Sequence, residues 1–286
     1  MDIIKRVRTY VGMSQQDFAD SMSVSFATVN RWENGHSEPN KIAQERICDF
    51  CVLHDVPIND FLMERIAAAA KEIKLEKDRI ILYHGSKSGI NGNIAPLSRD
   101  RCDFGKGFYM GTDPLQPLTL ICDFTKSKFY IVSLKTTDLK TLEVPADIEW
   151  AMLVAYHRGK MDRIQGTEFY AKYATMASEY DVIVGSIAND RMFYVIDSFF
   201  MGNITDKALV HSLSALQLGR QYVTVTQKAC DAIRVEEELK ISWIERKYLQ
   251  QASEKNREKG VSLANEICKT YRREGKYLDE ILDEVM

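Results

Sequence analysis

The 286-residue sequence predicts an α+β chain: an all-α module in front, a mixed α/β domain with mostly antiparallel strands behind it, and a C-terminal helical extension. Three observations predict it. Residues 1–62 place apolar side chains at helical spacing between tight-turn signals. From Arg79 to about Cys230, runs rich in Ile, Val, Tyr and Phe mix irregularly with helical stretches. Residues 231–286 then turn charged and helical in pattern.

The front module reads as short helices. Ile4, Val7 and Val11 recur with helical spacing. Ser14 precedes QQDFAD with an acidic residue three positions on, close to a capping box. Ser25 is placed to cap FATVNRWENG, whose Val29 and Trp32 face inward and whose Gly35 ends it. Residues 63–78 contain neither Gly nor Pro and have high helix propensity, so they read as a connecting helix.

In the stretch 79–230, five strand-like runs stand out: RIILYHG, GFYMGT, KFYIVSL, YDVIVGSI and QYVTVT. Helical stretches fall around 147–158, 166–179, 190–200 and 206–217. There is no regular βαβ repeat and no Gly-rich phosphate fingerprint after the first strand, so neither a Rossmann nor a P-loop fold is expected. In 231–286, Ile241, Ile244 and Leu249 punctuate the charged pattern, which suits an amphipathic cap or dimerisation arm.

Composition narrows the function classes. Hydrophobic residues make up 45% and charged residues 28%, enough apolar content for a core, and the net charge of −3 gives no overall basic character. No apolar run approaches the roughly 18–20 residues of a membrane span. MDIIKRVRTY lacks the apolar region of a signal peptide. A cytoplasmic protein away from membranes is expected. The six cysteines include one close pair, Cys48 and Cys51, with His54 nearby. Zinc sites usually need a second pair, so buried packing in a helix is expected instead, with no metal.

SQQDFA, the turn before VS, and TVNRWENG resemble the helix-turn-helix domain of phage-repressor-type regulators. The resemblance implies a DNA operator, commonly bound by a homodimer on two half-sites. It implies a phosphate contact from Gln15 or Gln16, and a recognition helix presenting Phe26, Ala27, Thr28 and Asn30, with Arg31 beside them. Asn30 is chemically suited to adenine. Residues 1–62 nevertheless carry six basic against nine acidic residues, whereas phosphate neutralisation wants a positive face. A module for dimerisation or for binding another protein therefore stays open beside DNA binding.

Three further stretches, Tyr83-His84-Gly85-Ser86, Gly105-Lys106-Gly107-Phe108-Tyr109 and Gln221-Tyr222-Val223, resemble in order the nicotinamide-binding strands of ADP-ribosyltransferases of the diphtheria-toxin and poly(ADP-ribose) polymerase type. The resemblance implies NAD as substrate. The main chain at Gly85 would pair with the nicotinamide carboxamide, Ser86 would add a hydroxyl, and His84 would bond the ribose next to adenine. Tyr109 would stack on the nicotinamide ring, and Gly105 and Gly107 would let the loop turn beneath it. The C–N bond would break through an oxocarbenium-like transition state. No metal is needed, because the leaving group departs from a positively charged pyridinium.

The third motif departs from that pattern, since Gln221 stands where the superfamily has glutamate. An amide still bonds ribose hydroxyls but neither accepts a proton as a base nor brings negative charge. Two outcomes follow: transfer of a single ADP-ribose to a protein or nucleic-acid acceptor, or NAD sensing by an inactive domain. A replacement base is sought in SIANDRMF, with Asp190 or Arg191 at the ligand or acceptor, while Asp103, just before the GKG turn, would steer the acceptor. The alternative for these is bracing a turn, capping a helix and facing solvent. Joining a DNA-reading module to a modifying enzyme suits a self-repressing toxin with an antitoxin partner, or a phage-defence component.

Overall fold

The computed structural model describes residues 3–187, 190–215, 219–271 and 273–285. Five helices form the front: α1 (Ile3–Tyr10), α2 (Gln15–Ser21), α3 (Phe26–Glu33), α4 (Lys41–Leu53) and α5 (Ile58–Glu72). Ser14 and Asp17 close a reciprocal capping box on α2, and the Ser25 hydroxyl accepts the Thr28 N–H at the start of α3. Val7, Phe18, Val29 and Ile47 fill the core of this module. Cys48 and Cys51 are buried within the same core, and that burial pushes the Cys51 thiol up to about 12. Along α5, Ile58 and Phe61 face this core while Leu62 and Ile66 join a second one against the sheet.

Among the described residues, seven strands make one sheet: β1 (Arg79–Ser86), β2 (Phe108–Gly111), β3 (Lys128–Lys135), β4 (Thr141–Glu143), β5 (Val182–Ser186), β6 (Arg220–Thr224) and β7 (Ile233–Leu239). Their order is β4-β5-β6-β2-β1-β3-β7, and every pairing is antiparallel except β4 with β5. The five strand-like runs of the sequence lie at β1, β2, β3, β5 and β6. Strand β7 corrects the expectation that 231–286 is helical throughout. Its period-two alternation is broken by a bulge, where the pairing steps from Val235 to Glu237 opposite Val132 and Ile131. Glu236, Glu237 and Glu238 are the charges that an edge strand tolerates and that mask it in the sequence.

Helices α6 (Leu115–Ile121), α7 (Ile148–His157), α8 (Glu168–Thr175), α9 (Asp190–Phe200), α10 (Asp206–Ala215), α11 (Gln227–Asp231), α12 (Trp243–Thr270) and α13 (Leu278–Val285) complete the chain. The largest core sets Trp150, Leu153 and Val154 of α7 and Phe199 of α9 against Ile183 and Val223 of the sheet. Helix α12 starts on a capping box of Ser242 and Glu245. Its Ile244 is buried in the front module's core, with Trp243 and Tyr248 packed alongside. Arg65 of α5 donates to the Glu245 carboxylate at 2.9 Å. The front module, the sheet and α12 therefore share continuous packing. Among the described residues, no helix is long and apolar enough to cross a membrane.

Candidate functional site

The strands carrying the HGS, GKGFY and QYV segments are β1, β2 and β6, which lie side by side in the sheet. Gln221 pairs with Gly111, and Gly111 pairs with Tyr83. Residues opposite one another share a face, and neighbours along a strand alternate. Tyr109 and Gln221 therefore project on one face, and His84 on the other. The three main chains are together; the three side chains are not on one side.

Beyond Tyr83, the register would set Gly85 opposite Tyr109. The Tyr109 carbonyl is instead 2.7 Å from Nδ1 of the His84 ring. A carbonyl only accepts, so Nδ1 carries the proton. Burial lowers the His84 pKa against the opposing pull of that bond, so the ring is neutral near pH 7 and its Nε2 is an acceptor. The ring stacks on Phe108 with centroids 4.1 Å apart. Gly85 permits a helix to press on the strand end: a Cβ there would lie 2.6 Å from the Pro117 carbonyl oxygen of α6. Ser86 ends β1, half-buried and opposite Lys128.

The other face is held by the loop leading into β2. The Tyr109 hydroxyl donates to the Gly105 carbonyl at 2.8 Å and accepts the Phe104 N–H at 3.0 Å. Its burial pushes its pKa up. Gly105 has a φ of +72°, which suits glycine, and a Cβ there would meet Nδ1 of His157 at 2.8 Å. The N–H of Gly107 donates to the Ser98 hydroxyl at 3.0 Å, closing the loop on itself.

Gln221 is 4% exposed. Its Nε2 donates to Asp103 at 2.9 Å and to the Ser186 carbonyl at 3.0 Å. Asp103 is itself buried and paired with Arg158, whose Nε approaches at 3.0 Å. The result is a buried polar cluster in which a carboxylate sits next to the residue that lacks one. Arg158 and His157, at the end of α7, were not singled out by the sequence. A cation in the last turn of a helix has an ordinary reading there, so no local signal distinguishes it. Burial lowers His157 to about 4, and its buried Nε2 has no hydrogen-bond partner. A cavity of about 320 Å³ opens beside Gly185, Ser186 and Arg220. Asp190 and Arg191 begin α9, but their side chains lie outside the described residues.

On the front module, Phe26 is 46% exposed and Ala27 and Arg31 are also exposed, while Thr28 and Asn30 are half-buried. Gln16 is exposed and bonds Asp20 at 2.8 Å. Gln15 turns inward, its Nε2 donating to Glu33 at 2.7 Å. The Arg8 guanidinium also donates to Glu33, from Nε at 2.6 Å and Nη2 at 3.1 Å. Burial would raise the Glu33 pKa, but the bonds from Arg8 and Gln15 outweigh it and hold the carboxyl below its ordinary value.

Residues 4–50 match the family described as helix-turn-helix, which points to DNA as a partner of this module. Residues 80–235, more than half of the chain, match the family described as protein of unknown function (DUF3990). No curated protein and no solved structure matches the chain. With β2 to β6 and all of β1 but its first residue inside the matched span, the chain belongs to the DUF3990 family and carries a helix-turn-helix module in front of it.

Proposed function

We propose that this chain is a DNA-binding protein whose DUF3990 domain takes NAD as substrate and transfers a single ADP-ribose to a macromolecular acceptor. One observation carries the reading: the three segments that resemble nicotinamide-binding strands are neighbours in the sheet, β6-β2-β1, although they are far apart in the chain. NAD is extended, so its two ends can engage different sides of the opened β1–β2 ladder. The neutral His84 ring offers Nε2 to a ribose hydroxyl. The Tyr109 ring provides a flat contact for nicotinamide. Asp103, bonded to Gln221, brings the negative charge that glutamine lacks close to the ribose that becomes cationic.

In the reaction, the bond from ribose C1 to the pyridinium nitrogen breaks and its electron pair stays with nitrogen, so nicotinamide leaves neutral. The acceptor atom bonds C1 and gives up its proton to water. A second reading, binding without turnover, is favoured by a specific feature. The Gln221 amide is directed at Asp103 and Ser186, and the Asp103 charge is already countered by Arg158. Nicotinamide release from labelled NAD in a cell extract, beside calorimetry with NAD, tests both. Release with label on an acceptor supports transfer, binding without release supports sensing, and the absence of both binding and release overturns both readings.

A further inference from the structure

A second site lies elsewhere, where the front module, the sheet and α12 meet. A cleft of about 700 Å³ is walled by α1, α5, the turn into β3 and the turn from β7 into α12. Six cations line it: Arg6, Arg65, Lys126, Lys128, Lys240 and Arg246. Among the described residues, the lining itself carries two carboxylates, Glu38 and Glu245. This is a positive concentration in a chain whose net charge is −3. Like charges gathered in a concave wall repel one another and focus a positive potential into the space between them.

Internal partners neutralise that charge in part. Glu245 takes Arg65 at 2.9 Å, Glu238 takes Lys128 at 2.8 Å, and Glu64 takes Arg6. Lys126 and Lys240 form no ion pair among the described residues, and both are exposed. Between two of the lysines sits Ser127, 7% exposed, whose buried hydroxyl oxygen has no hydrogen-bond partner. A buried hydroxyl without a partner is costly, and a ligand oxygen would satisfy it. The first turn of α12, with its positive dipole end, also borders the cleft. The half-buried Trp243 adds an aromatic wall.

We propose that this cleft binds a nucleotide, a small molecule carrying two or more phosphates, held between the helix-turn-helix module and the sheet. The volume lies within the few-hundred to thousand Å³ range of small-molecule sites, and is more than a lone phosphate needs. The lining comes from five separate chain segments, Glu38 included, around a concavity, which suits a compact ligand better than a duplex running along a surface. This site is independent of the NAD reading. It shares none of His84, Tyr109 or Gln221.

The test is titration of ADP into the full-length protein, followed by calorimetry and by tryptophan fluorescence. Trp32 and Trp150 are buried, so Trp243 is the responsive indole. Saturable binding that pyrophosphate competes away and adenosine does not is expected. Binding should weaken about tenfold or more in Lys126→Glu/Lys240→Glu, because two phosphate-facing charges are reversed. The same variant should keep the wild-type melting curve, since both side chains are exposed and neither forms a hydrogen bond or ion pair among the described residues. No binding of ADP or pyrophosphate, equal affinity in the variant, or equal competition by adenosine would overturn the proposal. Loss of ADP binding in Tyr109→Ala alone would move the ligand to the other site and also overturn it. Loss of only duplex-DNA binding in the charge-reversed variant would make the cleft a DNA-backbone contact, and the nucleotide would be ruled out.

Discussion

The front module and the sheet domain each bury one carboxylate that takes an arginine and a glutamine amide. In the front module these are Glu33, Arg8 and Gln15; in the sheet domain they are Asp103, Arg158 and Gln221. The chemistry is the same and the settings differ. Arg8, Gln15 and Glu33 tie α1, α2 and α3 together within one short stretch of chain, and the guanidinium there is 12% exposed. Asp103, Arg158 and Gln221 come from a loop, the end of α7 and strand β6, and that guanidinium is 24% exposed. A glutamine at a position expected to touch ligand can instead be held by a neighbouring carboxylate. In the front module this fixes the helix-turn-helix. In the sheet domain it brings negative charge beside Gln221.

The largest expected effect comes from removing the arginines. Arg8→Ala leaves Glu33 buried without its cation and should cost about 3 kcal/mol in urea unfolding, the low end for a broken buried pair. Arg158→Ala should cost roughly half of that, because the Arg158 side chain itself lies nearer water and its charge is better screened. Equal costs would erase the difference drawn between the two clusters. Next is Gln221→Glu, which sets a second carboxylate against Asp103. It should cost about 1–3 kcal/mol at neutral pH. The shared proton raises the folded pKa of the carboxyl pair, so this variant should regain stability relative to wild type as pH falls. A pH-independent difference would mean the two groups do not face each other in solution.

His157 offers a pH effect of opposite sign. Its folded pKa of about 4 lies below the ordinary 6.5, so the unfolded chain takes up the proton first. Stability should therefore be lost as pH falls from 6.5 toward 4, and His157→Gln should flatten that part of the profile measured by denaturant midpoints. A small effect is expected from Gln15→Ala, about 1.5 kcal/mol, the low end for one hydrogen bond to a charged group, because Glu33 keeps its arginine. Duplex-DNA affinity should change little in that variant, because Gln15 turns inward; a large loss would restore it as a phosphate contact.

Much of this architecture was legible because local rules agree with the fold. Ser14 and Ser25 cap the helices they precede, and five runs of β-branched and aromatic residues became strands. Strand β7 was illegible because a bulge and three glutamates hide its alternation. The candidate site was legible as three segments but not as faces. Which side His84 takes relative to Tyr109 depends on how β1 and β2 pair, and that register is set by tertiary packing rather than by either strand alone. The same holds for partners. Nothing near Gln221 in the chain announces Asp103 or Arg158, just as nothing in QQDFAD announces that Gln15 turns toward Glu33.

The claim that NAD engages the β1–β2–β6 junction is tested most directly by backbone hydrogen exchange with and without saturating NAD. The account predicts slowed exchange confined to residues 84–86, 105–109 and the start of β6, with the same protection missing in Tyr109→Ala. Unchanged exchange at these amides, or protection appearing only around the turn into α12, would contradict it.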